Sequence, residues 1–251
     1  MLYGLIGFPL SHSFSQKYFT EKFAQEGRGG FCYKNFPISC IEEIDRLLAE
    51  QPDLQGFNVT IPYKEKIIPF IGEMDALSAK TGAVNTVKVI RNGNNIRLKG
   101  YNTDVYGFSR SLEEWFVTLN HDLPSQALVL GTGGASKAVV CALSNLGIHS
   151  NLVSRREGGA ALLKYEDLTA ADVGAHRLII NTTPLGMYPN VDHYPLIPYS
   201  YLTPEHYLFD LVYNPPTTMF MNKGLANGAY ACNGERMLHL QADRAWEIWN
   251  E

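Results

Sequence analysis

An apolar run, Ala127-Leu128-Val129-Leu130, leads into Gly131-Thr132-Gly133-Gly134-Ala135-Ser136 and then into an apolar helical pattern. A pyrophosphate needs backbone N–H groups at a helix N-terminus with no side chains in its way, and a strand–glycine–helix corner offers both. Glycine alone is weak evidence, because tight turns use it for conformational reasons. The strand before it and the helix after it raise nucleotide binding above that alternative. The next strand, Asn151-Leu152-Val153-Ser154, discriminates further. A unit that grips a ribose 2′-hydroxyl places Asp or Glu there, about 20 residues past the first glycine. Here the strand ends in Arg155-Arg156. Guanidiniums bind phosphate oxygens bidentately, so a 2′-phosphate is the natural partner and NADP(H) the better expectation. The competing reading is a pair of solvated surface arginines.

Other polar groups stand where strand-like runs end. Gly7-Phe8-Pro9-Leu10-Ser11-His12-Ser13 follows an apolar N-terminal run, and its turn either is incidental or presents Ser11 and Ser13 to a small polar ligand. Lys64, in Tyr63-Lys64-Glu65-Lys66, reads by itself as a solvated lysine. Asp104 reads by itself as the cap of the helix that follows it. Asn181-Thr182-Thr183-Pro184 is equally a strand-end turn. Trp246 and Trp249, near helical spacing on the last helix, read as core.

These groups are carried by alternating strand-like and helix-like segments. LYGLIG, FCYKNFPI and QGFNVTIP read as strands, and SFSQKYFTEKFAQEG as an amphipathic helix. CIEEIDRLLAE puts Ile41, Ile44, Leu47 and Leu48 on one helical face. TVKVIRNGNNIRLKGYN places Asn-Gly between two alternating runs, a hairpin signal. After a helix from Asp104, the glycine corner, a helix closed by Gly147 and the strands SNLVS, RLIINTTP and YLFDLVYNPP read as a second α/β domain.

The chain of 251 residues has room for two modest cores. Its 45% hydrophobic and 18% charged content is that of a globular protein. A net charge of −4 gives no electrostatic reason to bind nucleic acid or anionic lipid. No run approaches a membrane span, and residues 1–10 have neither the basic start nor the apolar length of a secretory signal. Cys32, Cys40, Cys141 and Cys232 form no CxxC, which fits reduced thiols in a cytoplasm. The histidines form no HxxxH pair, and no metal site is expected.

Taken together, the motifs resemble those of the shikimate dehydrogenase family. The resemblance runs from residue 4 to about residue 246. It rests on residues 7–15, 56–64 (GFNVTIPYK), 82–86 (GAVNT), 100–104 (GYNTD), the glycine corner, 181–187 (NTTPLGM) and 210–215 (DLVYNP), in family order. It implies an N-terminal α/β substrate domain, residues 1–103 completed by the C-terminal helix 235–251. It also implies a Rossmann-like doubly wound NADP-binding domain, residues 104–234, with a cleft between the two. The implied reaction is NADPH-dependent, reversible reduction of 3-dehydroshikimate to shikimate in aromatic amino-acid biosynthesis.

By the same resemblance Ser11, Ser13 and Tyr213 hold the substrate carboxylate, and Asn58, Thr60, Asn85, Asp104 and Gln241 meet the ring hydroxyls. Lys64 is the implied acid/base and Asp104 orients it. Gly131, Thr132, Gly133, Gly134, Ala135, Ser154, Arg155 and Arg156 are assigned to the cofactor, as are Leu211 and Gly234. Thr182, Thr183 and Met237 are expected near the nicotinamide. The chain departs from the family between Arg155 and Arg177, where the crossover is short and Glu157-Gly158-Gly159 replaces an arginine-bearing helix. Two rival readings remain, a quinate dehydrogenase using NAD and a non-catalytic NADP-binding regulator. The absent acid after SNLVS disfavours the first; the presence of both Lys64 and Asp104 disfavours the second. A monomer or homodimer is expected.

Overall fold

Leu2 and Ile6 point to one side of the first strand, and Tyr3 and Leu5 to the other, each pair into its own apolar cluster. That period of two, with both faces buried, makes this strand the centre of a sheet. The computed structural model describes residues 1–10, 14–93, 95–155 and 162–251. Ser11, Ser13 and Arg156, expected from the sequence to bind ligands, and the Glu157-Gly158-Gly159 departure lie outside the described residues. The chain forms two compact units, Met1–Thr103 with Ala242–Glu251, and Asp104–Gln241.

In the first unit the elements are β1 (Leu2–Gly7), α1 (Phe14–Gln25), β2 (Cys32–Pro37), α2 (Ile44–Glu50), β3 (Leu54–Val59), β4 (Glu73–Met74), α3 (Ala76–Thr81), β5 (Thr86–Asn92) and β6 (Asn95–Tyr101). The strands line up as β2-β1-β3-β5-β6-β4. β1 runs parallel to both β2 and β3, while β5 and β6 form the antiparallel hairpin closed at Asn92 and Asn95. The α2 segment differs from the sequence reading. Its first turn, Ile41–Glu43, is a 3-10 turn, because the Glu43 carboxylate turns back to accept the N–H groups of Ser39 (2.9 Å) and Cys40 (3.2 Å). Ile41, Ile44, Leu47 and Leu48 are nonetheless all buried.

The second unit continues with α4 (Thr103–Leu119), β7 (Gln126–Leu130), α5 (Gly134–Asn145), β8 (His149–Ser154), β9 (Leu162–Lys164), α6 (Ala170–Ala175), β10 (Leu178–Asn181), β11 (Tyr207–Asp210), α7 (Met219–Leu225), β12 (Tyr230–Cys232) and the start of α8 (Glu235–Asn250), which passes into the first unit at Ala242. All its strand pairs are parallel, in the order β12-β11-β10-β7-β8-β9. Chain order reverses between β7 and β10, which makes that crevice the switch point of a Rossmann-like doubly wound sheet. Helix α5 ends as its sequence predicts. Gly147 takes the left-handed φ of 74°, and Ile148 N–H donates to Leu143 O while Gly147 N–H donates to Ser144 O.

Residues 235–241, the first part of α8, group with the second unit rather than with the first as the sequence reading divides them. The reason is a close helix crossing within that unit. A Cβ on Gly107 of α4 would stand 2.7 Å from Met237 O and 2.9 Å from Gln241 Cβ. The remainder of α8 carries Trp246 and Trp249 into the aromatic core around Tyr3 and Phe23.

Candidate active site

Gly131 follows β7 with φ 108°, a conformation closed to other residues, and a Cβ there would lie 2.9 Å from Thr182 Oγ1 and from Thr183 Cγ2. Its N–H donates to Val153 O of β8. Thr182 follows β10, and both its N–H (3.0 Å) and its hydroxyl (2.7 Å) donate to Leu130 O. The switch point thus draws the glycine corner and the Thr182-Thr183 turn together. Helix α5 begins at Gly134 with an N-cap, Gly133, that has no side chain to occupy the first N–H groups.

A cavity of about 680 Å³ opens here, inside the second unit. Seven residues singled out from sequence line it: Gly131, Thr132, Gly133, Ser154, Arg155, Thr182 and Thr183. Gly134 and Ala135 sit at the start of α5 outside that lining, and Leu211, Gly234 and Met237 do not line it either. Leu211 and Gly234 do meet each other, since a Cβ on Gly234 would overlap the Leu211 carbonyl. Tyr213 is 38% exposed, whereas Gln241 is buried and donates to Leu238 O at 2.9 Å. The sequence reading missed Tyr165, Pro184, Leu185 and Asp192–Leu196, which complete the cavity wall.

A buried carboxylate fixes part of that wall. Asp210, at the end of β11, accepts from Asn181 Nδ2 (2.9 Å), Val212 N (3.0 Å) and Thr218 Oγ1 (2.6 Å). Asn181 Oδ1 in turn accepts the Thr183 N–H (3.0 Å) and hydroxyl (2.6 Å). Burial raises the Asp210 pKa to about 6 from 3.8, partly offset by these three bonds. The folded state therefore holds this proton more tightly than the unfolded state, so the associated stability is present at low pH. It is lost as pH rises from about 4 through about 6, at most ~3 kcal/mol. Asp210→Asn should remove that dependence. In urea unfolding, the variant's stability relative to wild type is expected to improve from pH 4.5 to pH 7.5; a pH-independent difference would contradict this.

The first unit presents a polar edge of its own. β1 and β3 are parallel neighbours with Ile6 opposite Val59, so the segments after Gly7 and after Val59 leave the same end of the sheet. Phe8 N–H donates to Ile61 O (3.2 Å), Thr60 N–H donates to Ile6 O (2.9 Å), and a Cβ on Gly7 would overlap Thr60 Cγ2. At that end Asn58 is buried, its Oδ1 accepting from Tyr33 (2.8 Å) and its Nδ2 donating to Thr86 Oγ1 (3.0 Å). Asn85 accepts Thr103 N–H (2.8 Å) on Oδ1 and donates to Thr103 Oγ1 (3.0 Å). Asn102 is tied to Thr81 and Ala83 (both 3.0 Å). Asp104 is buried, but α4 begins one residue earlier, so Asp104 stands in its first turn instead of capping it. Lys64 is half-buried between buried Tyr63 and exposed Glu65, and its carbonyl accepts the Val84 N–H at 2.8 Å.

The family model for the shikimate dehydrogenase substrate binding domain matches residues 5–87. A curated shikimate dehydrogenase (NADP(+)) from Clostridium beijerinckii is 37% identical, the match covering 99% of this chain and 92% of that one. The chain belongs to the shikimate dehydrogenase family. A solved member, shikimate 5-dehydrogenase from Thermus thermophilus in complex with NADP(H) and shikimate, has a TM-score of 0.82 at 28% identity, covering 99% of this chain and 93% of that one. Quinate dehydrogenase from Corynebacterium glutamicum in complex with NAD is as similar in fold, with a TM-score of 0.83 at 26% identity and the same coverage. Fold therefore places the chain in the family but does not choose between those two chemistries.

Proposed function

We propose that this protein is an NADP-dependent shikimate dehydrogenase that reversibly reduces 3-dehydroshikimate to shikimate in a cytoplasm. The observation that carries the reading is Arg155, which lines the nucleotide-sized cavity at the end of β8 where an NAD enzyme places an acid. The cavity fits a dinucleotide phosphate. A Cβ on Gly133 would meet nothing within 4 Å, so the backbone there is open to the cavity, and the N-terminus of α5 stands beside it. Gly131–Ala135, Ser154, Arg155, Arg156, Thr182, Thr183, Leu211, Gly234 and Met237 are assigned to the cofactor, which when bound supplies the hydride for the ring carbonyl.

The chain's own residues do the rest. Ser11, Ser13 and Tyr213 are assigned to the substrate carboxylate. Hydroxyl donors suit a carboxylate that has to be released every turnover. Asn58, Thr60, Asn85, Asp104 and Gln241 are assigned to ring hydroxyls, which need matched partners once they leave water. Carbonyl reduction generates an alkoxide, and Lys64 is assigned to deliver the proton to it, with Asp104 assigned to orient the ammonium.

Initial rates with shikimate and quinate, each with NADP and NAD, test the assignment directly. Shikimate with NADP is expected to be fastest; quinate with NAD fastest would replace the proposed activity by the sister one. Arg155→Ala should raise KM for NADP at least tenfold more than KM for NAD, because one charge-assisted contact is worth ~1.5–3 kcal/mol. Equal changes for both cofactors would return Arg155 to the surface-charge reading.

A further inference from the structure

β9 lies beside β8 in parallel register, Ser154 opposite Lys164. The residue after each therefore leaves the sheet at the same level, Arg155 from one strand and Tyr165 from the next, and both line the cavity. The C-terminal ends of parallel strands are where such sheets bind ligands. Tyr165 has a chemical peculiarity at this place. Its hydroxyl oxygen is buried, and among the described residues it has no hydrogen-bond partner. A phenol hydroxyl in that state carries an uncompensated desolvation cost, while phenylalanine would fill the same space without it. Burial also pushes the Tyr165 pKa up to about 12, with the Arg155 guanidinium near enough to pull against that rise. At neutral pH the group is therefore a neutral O–H donor standing beside a fixed cation.

From this geometry, and resting on the NADP reading above, we propose that Tyr165 is a specificity-determining residue whose hydroxyl donates to the 2′-phosphate held by Arg155. A dianion next to one guanidinium accepts further donors, and a neutral one adds a bond without crowding charge. The hydroxyl, closed to the cavity in this structure, would reach the phosphate by a turn of the ring on nucleotide binding and so gain its partner only in the loaded state. A second role for the ring is packing, since Tyr165 also rests against the apolar core of the second unit. That role needs the ring and not the oxygen, so Tyr165→Phe separates the two.

The test compares wild type and Tyr165→Phe by calorimetry with 2′,5′-ADP and with 5′-AMP, alongside steady-state rates with NADP and NAD. The expected result is about tenfold weaker binding of 2′,5′-ADP, unchanged binding of 5′-AMP, KM for NADP raised to a similar extent and kcat unchanged; tenfold corresponds to ~1.4 kcal/mol. Without nucleotide, the variant should melt at or above the wild-type temperature, because it discards an unpaired hydroxyl. Equal weakening toward both nucleotides would overturn the proposal by placing the contact on the shared adenosine. No weakening toward either would leave Tyr165 a packing residue and overturn it too. If wild type itself binds 5′-AMP as tightly as 2′,5′-ADP, the NADP reading fails first; loss of the Tyr165 effect alone leaves that reading standing.

Discussion

Lys64→Ala is expected to lower the turnover number by ~10²–10⁴ while KM for shikimate changes comparatively little. That split identifies a group acting on the transition state, since removal of a mere binding contact would raise KM at constant kcat. The position supports the assignment on physical grounds. Tyr63 is buried with its hydroxyl on Ile38 O at 2.7 Å, and Ile67 is buried four residues later with its N–H on Tyr63 O. The turn between them is thus pinned at both ends, and Lys64 is only half exposed where Glu65 and Lys66 are open to solvent. A surface lysine held for solubility would not need such anchoring. Asp104→Asn should act differently, reducing kcat and raising KM together, because on the proposed assignment Asp104 both orients Lys64 and accepts from a ring hydroxyl. The check is steady-state kinetics of both variants across pH. Near-normal turnover in Lys64→Ala would remove Lys64 from the mechanism and leave Asp104 or a bound water as the proton source.

The features that were readable from sequence are those encoded locally. The β5–β6 hairpin announces itself by Asn-Gly between alternating runs, the close of α5 by Gly147, and the β7–α5 corner by glycine between a strand and a helix. β9 and β12 are not legible in the sequence, because three residues are too few to show alternation and each sits at a sheet edge. Tyr165 was missed for the same reason, since only the pairing of β9 with β8 brings it level with Arg155. The cavity wall at Asp192–Leu196 was equally illegible. It has no period of its own, and long-range bonds fix its surroundings: Tyr188 N–H donates to Asn214 O (3.1 Å), and Lys223 stands over the Tyr194 ring at 4.3 Å. Trp246 and Trp249 were legible as core from helical spacing, but not which core they complete.

Trp249→Ala should be the most destabilising single change in the first unit. Its ring stacks on Tyr3 with centroids 4.9 Å apart and lies 5.4 Å from Phe19, and its Nε1–H donates to Val87 O at 3.0 Å. Gly56 on β3 makes room for it, since a Cβ there would overlap the indole. Truncation removes a buried aromatic from a close-packed cluster and withdraws the donor from a buried sheet carbonyl, a loss of ~3–5 kcal/mol. For a chain of this size that corresponds to a melting temperature lower by roughly 6–20 °C. Trp249→Phe keeps most of the packing and loses the Nε1–H bond, so it should cost about 1–2 kcal/mol. Thermal unfolding followed by circular dichroism measures both, and wild-type melting of Trp249→Ala would mean that the C-terminal segment is not part of that core. The same packing gives the chain order a kinetic consequence. Residues 242–251 fold with residues 1–103, so the first unit has its longest-range contacts still missing until the end of the chain is available. Deleting 242–251 should therefore leave one face of β1 and β3 covered only in part, by α1, and the truncated protein should aggregate on expression instead of yielding a folded second unit beside a merely weakened first.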